Sequence, residues 1–275
     1  MTEGDNLAVL SNGVHMPLLG LGVFKAEKGE EVEKAVAWAL EAGYRSIDTA
    51  AIYGNEAGVG KAIRSSGLAR EEVFVTTKVW NSEQGYDKTL AAFDKSLERL
   101  QMDYVDLYLV HWPVKEKYKD TWKALEALYD EGRCRAIGVS NFLPHHLEDV
   151  LDGARIVPMV NQVEFHPRLQ QPKLQALCRQ HNIVLEAWRP IMKGDVANIP
   201  EIQQIAAAHD KQPVQVTLRW MIQKGIVVIP KSVRQGRIRS NGAIFDFELS
   251  DAEMAAMDAL DQGLRIGADP DNFNF

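Results

Sequence analysis

Short apolar runs alternate with longer amphipathic stretches along the whole chain. Most of the apolar runs are rich in valine, leucine and isoleucine, and polar or glycine-containing segments bound them. Runs of this kind predict strands that are buried on both faces of a sheet. The eight predicted strands are Leu19–Val23, Arg45–Ile47, Val73–Thr77, Val105–Val110, Ala136–Val139, Met159–Val163, Val184–Ala187 and Val227–Ile229.

The stretches between these runs have the periodicity of helices. In Gly29–Ala42 the residues Val32, Ala35, Val36 and Ala39 recur on one face, as in a helix that packs against a core. The other predicted helices are Gly85–Leu100, Lys119–Glu131, Pro144–Leu151, Pro172–His181, Val214–Lys224 and Asp251–Leu260.

Repeated strand–helix alternation predicts an α/β fold with a parallel sheet. The 275 residues suit one (β/α)8 TIM barrel, which needs roughly 250 residues, so we expect a single domain over residues 1–275. The alternative is an open doubly wound sheet, which normally brings a G-x-G-x-x-G turn after a strand, and the sequence has none. Gly58-Val59-Gly60-Lys61 lies in a helical pattern and lacks phosphate-loop spacing, so we interpret it as structural.

The two ends of the chain are expected to cover the two ends of the barrel. Ala8–Leu10 and Met16–Leu18 flank an Asn-Gly pair at Asn12, a strong signal for a β-hairpin. We expect this hairpin to close the bottom of the barrel. The C-terminal tail, Arg265–Phe275, is expected near the active-site face, but its packing does not follow from its sequence.

Composition excludes several classes of function. The net charge of −7 argues against general binding to nucleic acid or membrane surfaces, which requires a basic face. Cys134 and Cys178 lack metal-type spacing and suggest reduced thiols. The first residues lack the pattern of a signal peptide, and no apolar run approaches the ~20 residues of a membrane span. These features predict a cytoplasmic protein.

Four titratable residues follow three successive predicted strands. Asp48 and Tyr53 come after the second strand, Lys78 after the third and His111 after the fourth. Active residues of such barrels project from the carboxyl ends of strands, so these side chains are expected to share one cleft.

The chemistry of these four residues suits the reduction of a carbonyl group. A lysine cation lowers the pKa of a neighbouring tyrosine, and Asp48 can keep a buried Lys78 charged. His111 can donate a hydrogen bond to a carbonyl oxygen, and Tyr53 can supply the proton. A hydride must come from a cofactor, because no side chain donates one.

A basic segment follows the eighth strand. Lys231, Arg234, Arg237 and Arg239 lie within nine positions, and the loop after the eighth strand is a usual phosphate site of barrels. Taken alone, the segment also fits a solvated basic helix. At this end of the barrel, arginine and lysine can hold a pyrophosphate or a ribose phosphate.

At these residues the chain resembles the aldo-keto reductase family, and the match covers nearly its whole length. Several long motifs occur in the order typical of that family. They are Gly43-Tyr44-Arg45-Ser46-Ile47-Asp48-Thr49-Ala50, Thr77-Lys78-Val79-Trp80, Asp106-Leu107-Tyr108-Leu109-Val110-His111-Trp112-Pro113, Gly138-Val139-Ser140-Asn141-Phe142, Asn161-Gln162-Val163-Glu164 and Ile229-Pro230-Lys231-Ser232.

The resemblance implies a catalytic tetrad of Asp48, Tyr53, Lys78 and His111, with Tyr53 as general acid, and NADPH (NADP+) as cofactor. It implies no metal, a small-molecule partner and a monomer. The implied cofactor residues are Ser140, Asn141 and Gln162 for the nicotinamide amide, Trp188 for its ring, and Lys231, Ser232, Val233, Arg237 and Asn241 for the adenosine phosphate side. The implied walls of an apolar substrate pocket are Phe24, Trp80 and Trp112.

Two residues depart from the family pattern around the cofactor. Arg189 follows the stacking aromatic where a small residue is usual, and it would either pair with the pyrophosphate or crowd it. Ser240 stands where the family commonly has a glutamate that braces the adenosine side.

The function implied is reduction of small aldehydes, ketones and dicarbonyls, because the chain looks especially similar to bacterial glyoxal and methylglyoxal reductases. More distantly it is similar to 2,5-diketogluconate reductases, so reduction of a keto-sugar acid stays open. A non-catalytic NADPH-binding role and Schiff-base aldolase chemistry on Lys78 are also compatible with the barrel.

Two further features have weaker interpretations. His145-His146 begins a predicted helix, but no third ligand lies at a fitting spacing, so we expect no metal there. Glu186 lies inside the seventh apolar strand, where we expect it to be the buried partner of a basic group.

Overall fold

The computed structural model describes residues 6–273 and contains all eight predicted strands as one parallel sheet. A separate antiparallel hairpin, β1 and β2, precedes them. The strands are β1 Leu7–Val9, β2 His15–Pro17, β3 Leu21–Gly22, β4 Ser46–Asp48, β5 Phe74–Val79, β6 Val105–Val110, β7 Cys134–Ser140, β8 Val160–Glu164, β9 Val184–Trp188 and β10 Val227–Val228.

The sheet closes on itself. Strands β3 to β10 lie in chain order, each parallel to the next. Leu19, just before β3, forms a parallel bridge with Val228 of β10. The Val228 amide donates to the Leu18 carbonyl oxygen, and the Gly20 amide donates to the Val228 carbonyl oxygen, each at 2.9 Å. The predicted (β/α)8 barrel is therefore confirmed.

The helices surround the barrel, and the seven predicted ones have ends close to those expected. Pro144, Pro172 and Pro213 begin three of them, as proline suits the first turn of a helix. The helices are α1 Glu30–Glu41, α2 Glu56–Arg64, α3 Tyr86–Leu100, α4 Tyr118–Asp130, α5 Pro144–Leu151, α6 Pro172–Gln180, α7 Pro200–Ala208, α8 Pro213–Gln223, α9 Gln235–Gly242 and α10 Asp251–Asp258. Within residues 6–273, none of them combines the length and apolar character that crossing a membrane requires. Helices α2, α7 and α9 were not among the predicted helices.

The hairpin lies at the amino ends of the strands, as expected. The Asn12 side-chain amide donates to the carbonyl oxygen of Arg135, the second residue of β7, at 2.9 Å. Met16 and Leu10 are buried in the same core as the barrel strands. The bottom of the barrel is thus covered, and the carboxyl ends of the strands lie at the opposite end.

Gly60 belongs to helix α2 and packs against the end of helix α3. A Cβ atom at Gly60 would overlap the backbone carbonyl of Leu100, and a Cβ at Gly58 would overlap the Val32 side chain. The glycine motif therefore permits close helix packing, in agreement with its structural interpretation.

Gly60→Ala is expected to lower the free energy of unfolding by about 1–3 kcal/mol, because the added methyl group overpacks the α2–α3 contact. Urea denaturation followed by circular dichroism measures this change. Gly153→Ala is the control, since a Cβ at Gly153 meets no atom within 4 Å. Equal stability of both variants would show that the contact tolerates a methyl group.

Candidate active site

The barrel brings the four predicted catalytic residues together. Asp48 is the last residue of β4, Lys78 is the penultimate residue of β5, and His111 directly follows β6. Because these strands are adjacent and parallel, their carboxyl ends meet at one edge. Tyr53 ends a 3-10 turn, Ala51–Tyr53, that follows β4 and returns the phenol ring to the same place. All four residues lie beside one another at the base of one cleft.

Lys78 and Asp48 form a buried ion pair with complete hydrogen bonding. The Lys78 Nζ atom donates to both carboxylate oxygens of Asp48, at 2.7 and 2.8 Å, and to the Thr49 carbonyl oxygen at 2.9 Å. Three acceptors match the three protons of the ammonium group. Burial is the largest single effect and lowers the pKa of Lys78, but the charge and hydrogen bonds of Asp48, together with Tyr53 and Glu186, outweigh it, so the pKa lies above its usual value. Lys78 is therefore a stable cation.

Tyr53 keeps its proton more tightly than the sequence suggested. Lys78 Nζ lies 5.2 Å from the centre of the phenol ring and lowers the pKa of Tyr53, in the expected direction. Burial is the larger effect, however, and it raises the pKa of Tyr53 to about 12. The expectation of a net lowered pKa was wrong, because the cost of burying a phenolate was not considered. At neutral pH the phenol is a proton donor.

His111 is a neutral imidazole. Burial, assisted by the charge of Lys78, holds its pKa well below the usual value. Its ring lies edge-on to Tyr53, with centroids 5.7 Å apart, and to Trp80, with centroids 5.2 Å apart. A neutral imidazole carries one N–H, so His111 can donate a hydrogen bond without adding charge.

Three polar side chains lie beside this set at the ends of β7 and β8. Ser140 Oγ donates to the Gln162 carbonyl oxygen at 2.9 Å. Asn141 Nδ2 donates to the His111 carbonyl oxygen at 2.9 Å, and Asn141 Oδ1 accepts from Trp188 Nε1 at 2.8 Å. All of these residues line the cleft. The set predicted to hold a nicotinamide amide is therefore next to the tetrad.

Glu186 of β9 lies below the tetrad in the barrel interior and is fully buried. Gln162 Nε2 donates to Glu186 Oε2 and to Asp48 Oδ2, both at 2.7 Å. Glu186 is buried, as expected, and the charge of Lys78 acts on it, but its hydrogen-bond donor is the Gln162 amide and not a basic group. A single amide group thus bridges two carboxyl groups.

Arg189 follows Trp188 and turns away from the strand. Its backbone has a positive φ of 56°, and its guanidinium group donates to the Ile266 carbonyl oxygen at 2.7 Å. The same group lies 5.3 Å from the Trp188 ring centre. In this structure Arg189 contacts the C-terminal tail, and its pairing with a pyrophosphate stays a prediction.

The basic segment forms the far end of the cleft. Its lining includes Lys231, Ser232, Arg237, Ser240 and Asn241. Val233 lies beside them but packs against the hydrophobic core. The segment is a loop followed by helix α9, so both sequence interpretations, a phosphate site and a basic helix, describe part of it.

Aromatic side chains form the other part of the cleft, which has a volume of about 1070 Å³. Phe24, Trp80 and Trp112 line it, as predicted. Phe273 of the tail also lines it, and its ring stacks on Trp112 with centroids 4.2 Å apart and planes 10° apart. Ile52 and Ala268 complete the apolar wall. The sequence analysis did not predict Phe273, Ile52 or Ala268 as part of the cleft, because they lie outside the periodic segments.

The tail is anchored by a buried carboxylate. Glu164, the last residue of β8, accepts hydrogen bonds from the backbone amides of Ile266 and Gly267, at 2.9 and 3.0 Å. His166 and Arg265 contact the same carboxylate. Burial raises the pKa of Glu164, but the hydrogen bonds together outweigh it and hold the pKa below its usual value. The described part of the tail therefore begins beside a charged carboxylate and extends to Phe273, which contacts Trp112.

A second tail contact involves the histidine pair. Asp271 Oδ1 lies 3.0 Å from His145 Nε2 and 3.5 Å from His146 Nε2, so the fold supplies a third polar group that the sequence spacing did not reveal. His146 Nδ1 accepts a hydrogen bond from the Leu143 amide. The neutral ring then carries its proton on Nε2, which makes that nitrogen a donor rather than a metal ligand.

A closed parallel barrel with a proton donor, a buried cation and a long cleft at its carboxyl end is the architecture of a barrel oxidoreductase. A sequence model of the Aldo/keto reductase family matches residues 18–262. The chain belongs to that family.

Individual relatives are similar over nearly their whole length. Glyoxal reductase of Bacillus subtilis strain 168 is 59% identical over 266 residues, covering 97% of this chain and 96% of that protein. A 9,11-endoperoxide prostaglandin H2 reductase of Trypanosoma cruzi is 57% identical, covering 98% and 96%. Among solved structures, a variant of Gox0644 in complex with NADPH has a TM-score of 0.93 at 43% identity, covering 98% of each chain.

Glu164→Gln is expected to loosen the tail, because an uncharged amide cannot satisfy two backbone donors and Arg265 together; the cost is about 1–3 kcal/mol. Trypsin cleavage after Arg265, followed by mass spectrometry, should be several-fold faster than in the unaltered protein. Glu148→Gln, on the exposed face of α5, is the matched control. Unchanged cleavage in Glu164→Gln would show that the carboxylate does not anchor the tail.

Proposed function

We propose that this protein is an NADPH-dependent reductase of small aldehydes, ketones and dicarbonyls of the glyoxal and methylglyoxal type. The observation that carries the proposal is the meeting of Tyr53, Lys78, Asp48 and His111 at the base of a cleft whose far end is basic. The resemblance to a glyoxal reductase supports the substrate class.

The donor set of the cleft fits a nicotinamide dinucleotide phosphate. Ser140, Asn141 and Gln162 supply amide and hydroxyl groups for a carboxamide, and Trp188 supplies an aromatic face. The basic residues near α9 suit phosphate oxygens, because arginine and lysine bind them with charge-assisted hydrogen bonds. The residues that would hold this end are Lys231, Ser232, Arg237 and Asn241. The bound cofactor would supply the hydride.

The chain's own residues handle the proton and the developing negative charge. A carbonyl oxygen beside Tyr53 and His111 would receive a hydrogen bond from the imidazole N–H and a proton from the phenol. Lys78 stabilises the phenolate that remains, because its cation lies beside the ring. Asp48 keeps Lys78 charged and oriented. The aromatic walls exclude water, which strengthens each of these interactions.

Three competing functions have less support. A Schiff-base aldolase would need an unprotonated Lys78, whereas its ammonium group has three acceptors and a raised pKa. A non-catalytic role would leave the complete proton-donating set without a use. Reduction of a keto-sugar acid would require a cation near the aromatic walls, and Lys25, at the rim beside Phe24, is the observation that favours it.

A carbonyl panel tests the proposal directly. With NADPH, we expect turnover of glyoxal and methylglyoxal, measured as loss of absorbance at 340 nm, and weaker turnover of 2,5-diketogluconate. Tyr53→Phe should lower kcat at least about 1000-fold, because it removes the proton donor, while NADPH binding measured by fluorescence stays within about threefold. Tyr86→Phe is the control, because Tyr86 is exposed and is not among the residues that line the cleft. Wild-type rates in Tyr53→Phe would exclude Tyr53 as the acid.

The basic end of the cleft should discriminate between cofactors. Lys231→Ala and Arg237→Ala each remove a cation that we assign to the adenosine phosphate, so each should raise the KM for NADPH about tenfold or more. The KM for NADH should change by less than about threefold, because NADH lacks that phosphate. Arg239→Ala, outside the cleft lining, is the control. Equal effects on both cofactors would contradict the assignment.

A further inference from the structure

Glu186 is an ionisable group that the proposed mechanism does not use. It lies on β9, one strand beyond Gln162, and both side chains meet in the barrel interior. Oε2 of Glu186 accepts from Gln162 Nε2, whereas Oε1 is buried and has no hydrogen-bond partner among residues 6–273. Burying a carboxylate that has an unpaired oxygen costs more free energy than burying the neutral carboxylic acid.

The charges around Glu186 also favour its neutral form. Gln162 of β8 donates a hydrogen bond to it, and three groups from neighbouring elements interact with it electrostatically: Asp48 of β4, Tyr53 of the following turn and Lys78 of β5. The cation among them, Lys78, is already engaged by Asp48 and Thr49. Burial raises the pKa of Glu186 to about 8, and the charge of Asp48 acts in the same direction, against Gln162 and Lys78. Glu186 therefore loses its proton only under alkaline conditions.

The charge of Glu186 affects the tyrosine. An ionised Glu186 adds to the larger effects of burial and of Asp48 and raises the pKa of Tyr53 further, because it opposes the formation of another negative charge nearby. In reduction, the carbonyl carbon gains the hydride and its oxygen gains the Tyr53 proton; Tyr53 then regains a proton from solvent. In the reverse oxidation, the alcohol gives its hydroxyl proton to a Tyr53 phenolate and its hydride to NADP+. Oxidation therefore requires the phenolate.

We propose that Glu186 is a positioning residue whose ionisation keeps the proton on Tyr53 as pH rises, and so favours reduction over alcohol oxidation. This inference rests on the proposed reductase function. Its consequence is that, once Glu186 is ionised, the phenol of Tyr53 holds its proton more tightly than burial and Asp48 alone would provide.

Glu186→Gln tests the proposal, because glutamine keeps an acceptor for Gln162 but cannot ionise. We expect alcohol oxidation with NADP+ at pH 9–10 to be about two- to fourfold faster, relative to reduction, than in the unaltered protein, since a full pKa unit would correspond to tenfold and Glu186 affects Tyr53 less than burial or Asp48 does. Glu126→Gln is the matched control: Glu126 is a buried glutamate on α4 that accepts a hydrogen bond from the Ile156 amide. Superimposable ratios of oxidation to reduction across pH 6–10 would overturn the proposal.

A second measurement needs neither cofactor nor turnover. Because the folded-state pKa of Glu186 is raised, the unfolded chain binds fewer protons between the usual glutamate pKa and about 8, so stability falls as pH rises through that interval. The melting temperature of Glu186→Gln should therefore increase relative to that of the unaltered protein from pH 5 to 8, and the difference should level off above pH 8. A difference that stays constant from pH 5 to 9 would show that Glu186 is ionised throughout and would overturn the proposal.

The two measurements separate the failure of this inference from the failure of the proposed function. If the unaltered protein reduces no carbonyl in the panel, the reductase function fails, while the melting experiment still reports the proton on Glu186. If reduction occurs but both Glu186→Gln profiles match the unaltered protein, only this inference fails. Should Glu186→Gln not fold, Glu186→Met removes the same titration with a side chain of similar length.

Discussion

The buried ion pair between Lys78 and Asp48 is the interaction on which the site depends. Removing either partner would leave an uncompensated charge in the barrel core, which is far more costly than losing a surface pair. The barrel can contain this pair because Lys78 lies on β5 two residues beyond Thr76, the register partner of Asp48 on β4, so its long side chain reaches the carboxylate, and the Thr49 carbonyl oxygen supplies the third acceptor. The cation then defines the electrostatics of Tyr53 and His111, which themselves stay neutral.

The site combines three kinds of environment in one cleft. Its base is polar and nearly closed to water, its basic end lies near the start of α9, and its opposite end is aromatic. This division follows from the barrel, whose successive loops each contribute a different surface to the same opening. The resulting arrangement suits a long anionic cofactor beside a small carbonyl compound.

Local pattern was sufficient to predict the barrel, because most strands are short apolar runs and most of the helices between them have an apolar stripe. It was also sufficient to predict that the four titratable residues share one cleft, because the carboxyl ends of the strands in a parallel barrel meet at one edge. Helix α7 was missed although Ile202, Ile205 and Ala206 have helical spacing and Pro200 marks its start. The packing of Phe273 was missed because it depends on a contact with Trp112, far away in the sequence. The pKa of Tyr53 could not be judged from its lysine neighbour alone, because desolvation depends on the complete surroundings.

The tail contributes to the wall of the cleft but not to the residues that deliver the proton. Phe273 and Ala268 help to shape the apolar wall, yet the tail's attachment through Glu164 and Arg189 lies outside the proton-donating set. Substitutions in this segment can therefore alter which molecules fit without disturbing how the proton is delivered. A barrel with such an exchangeable wall can acquire new substrates while its chemistry stays constant.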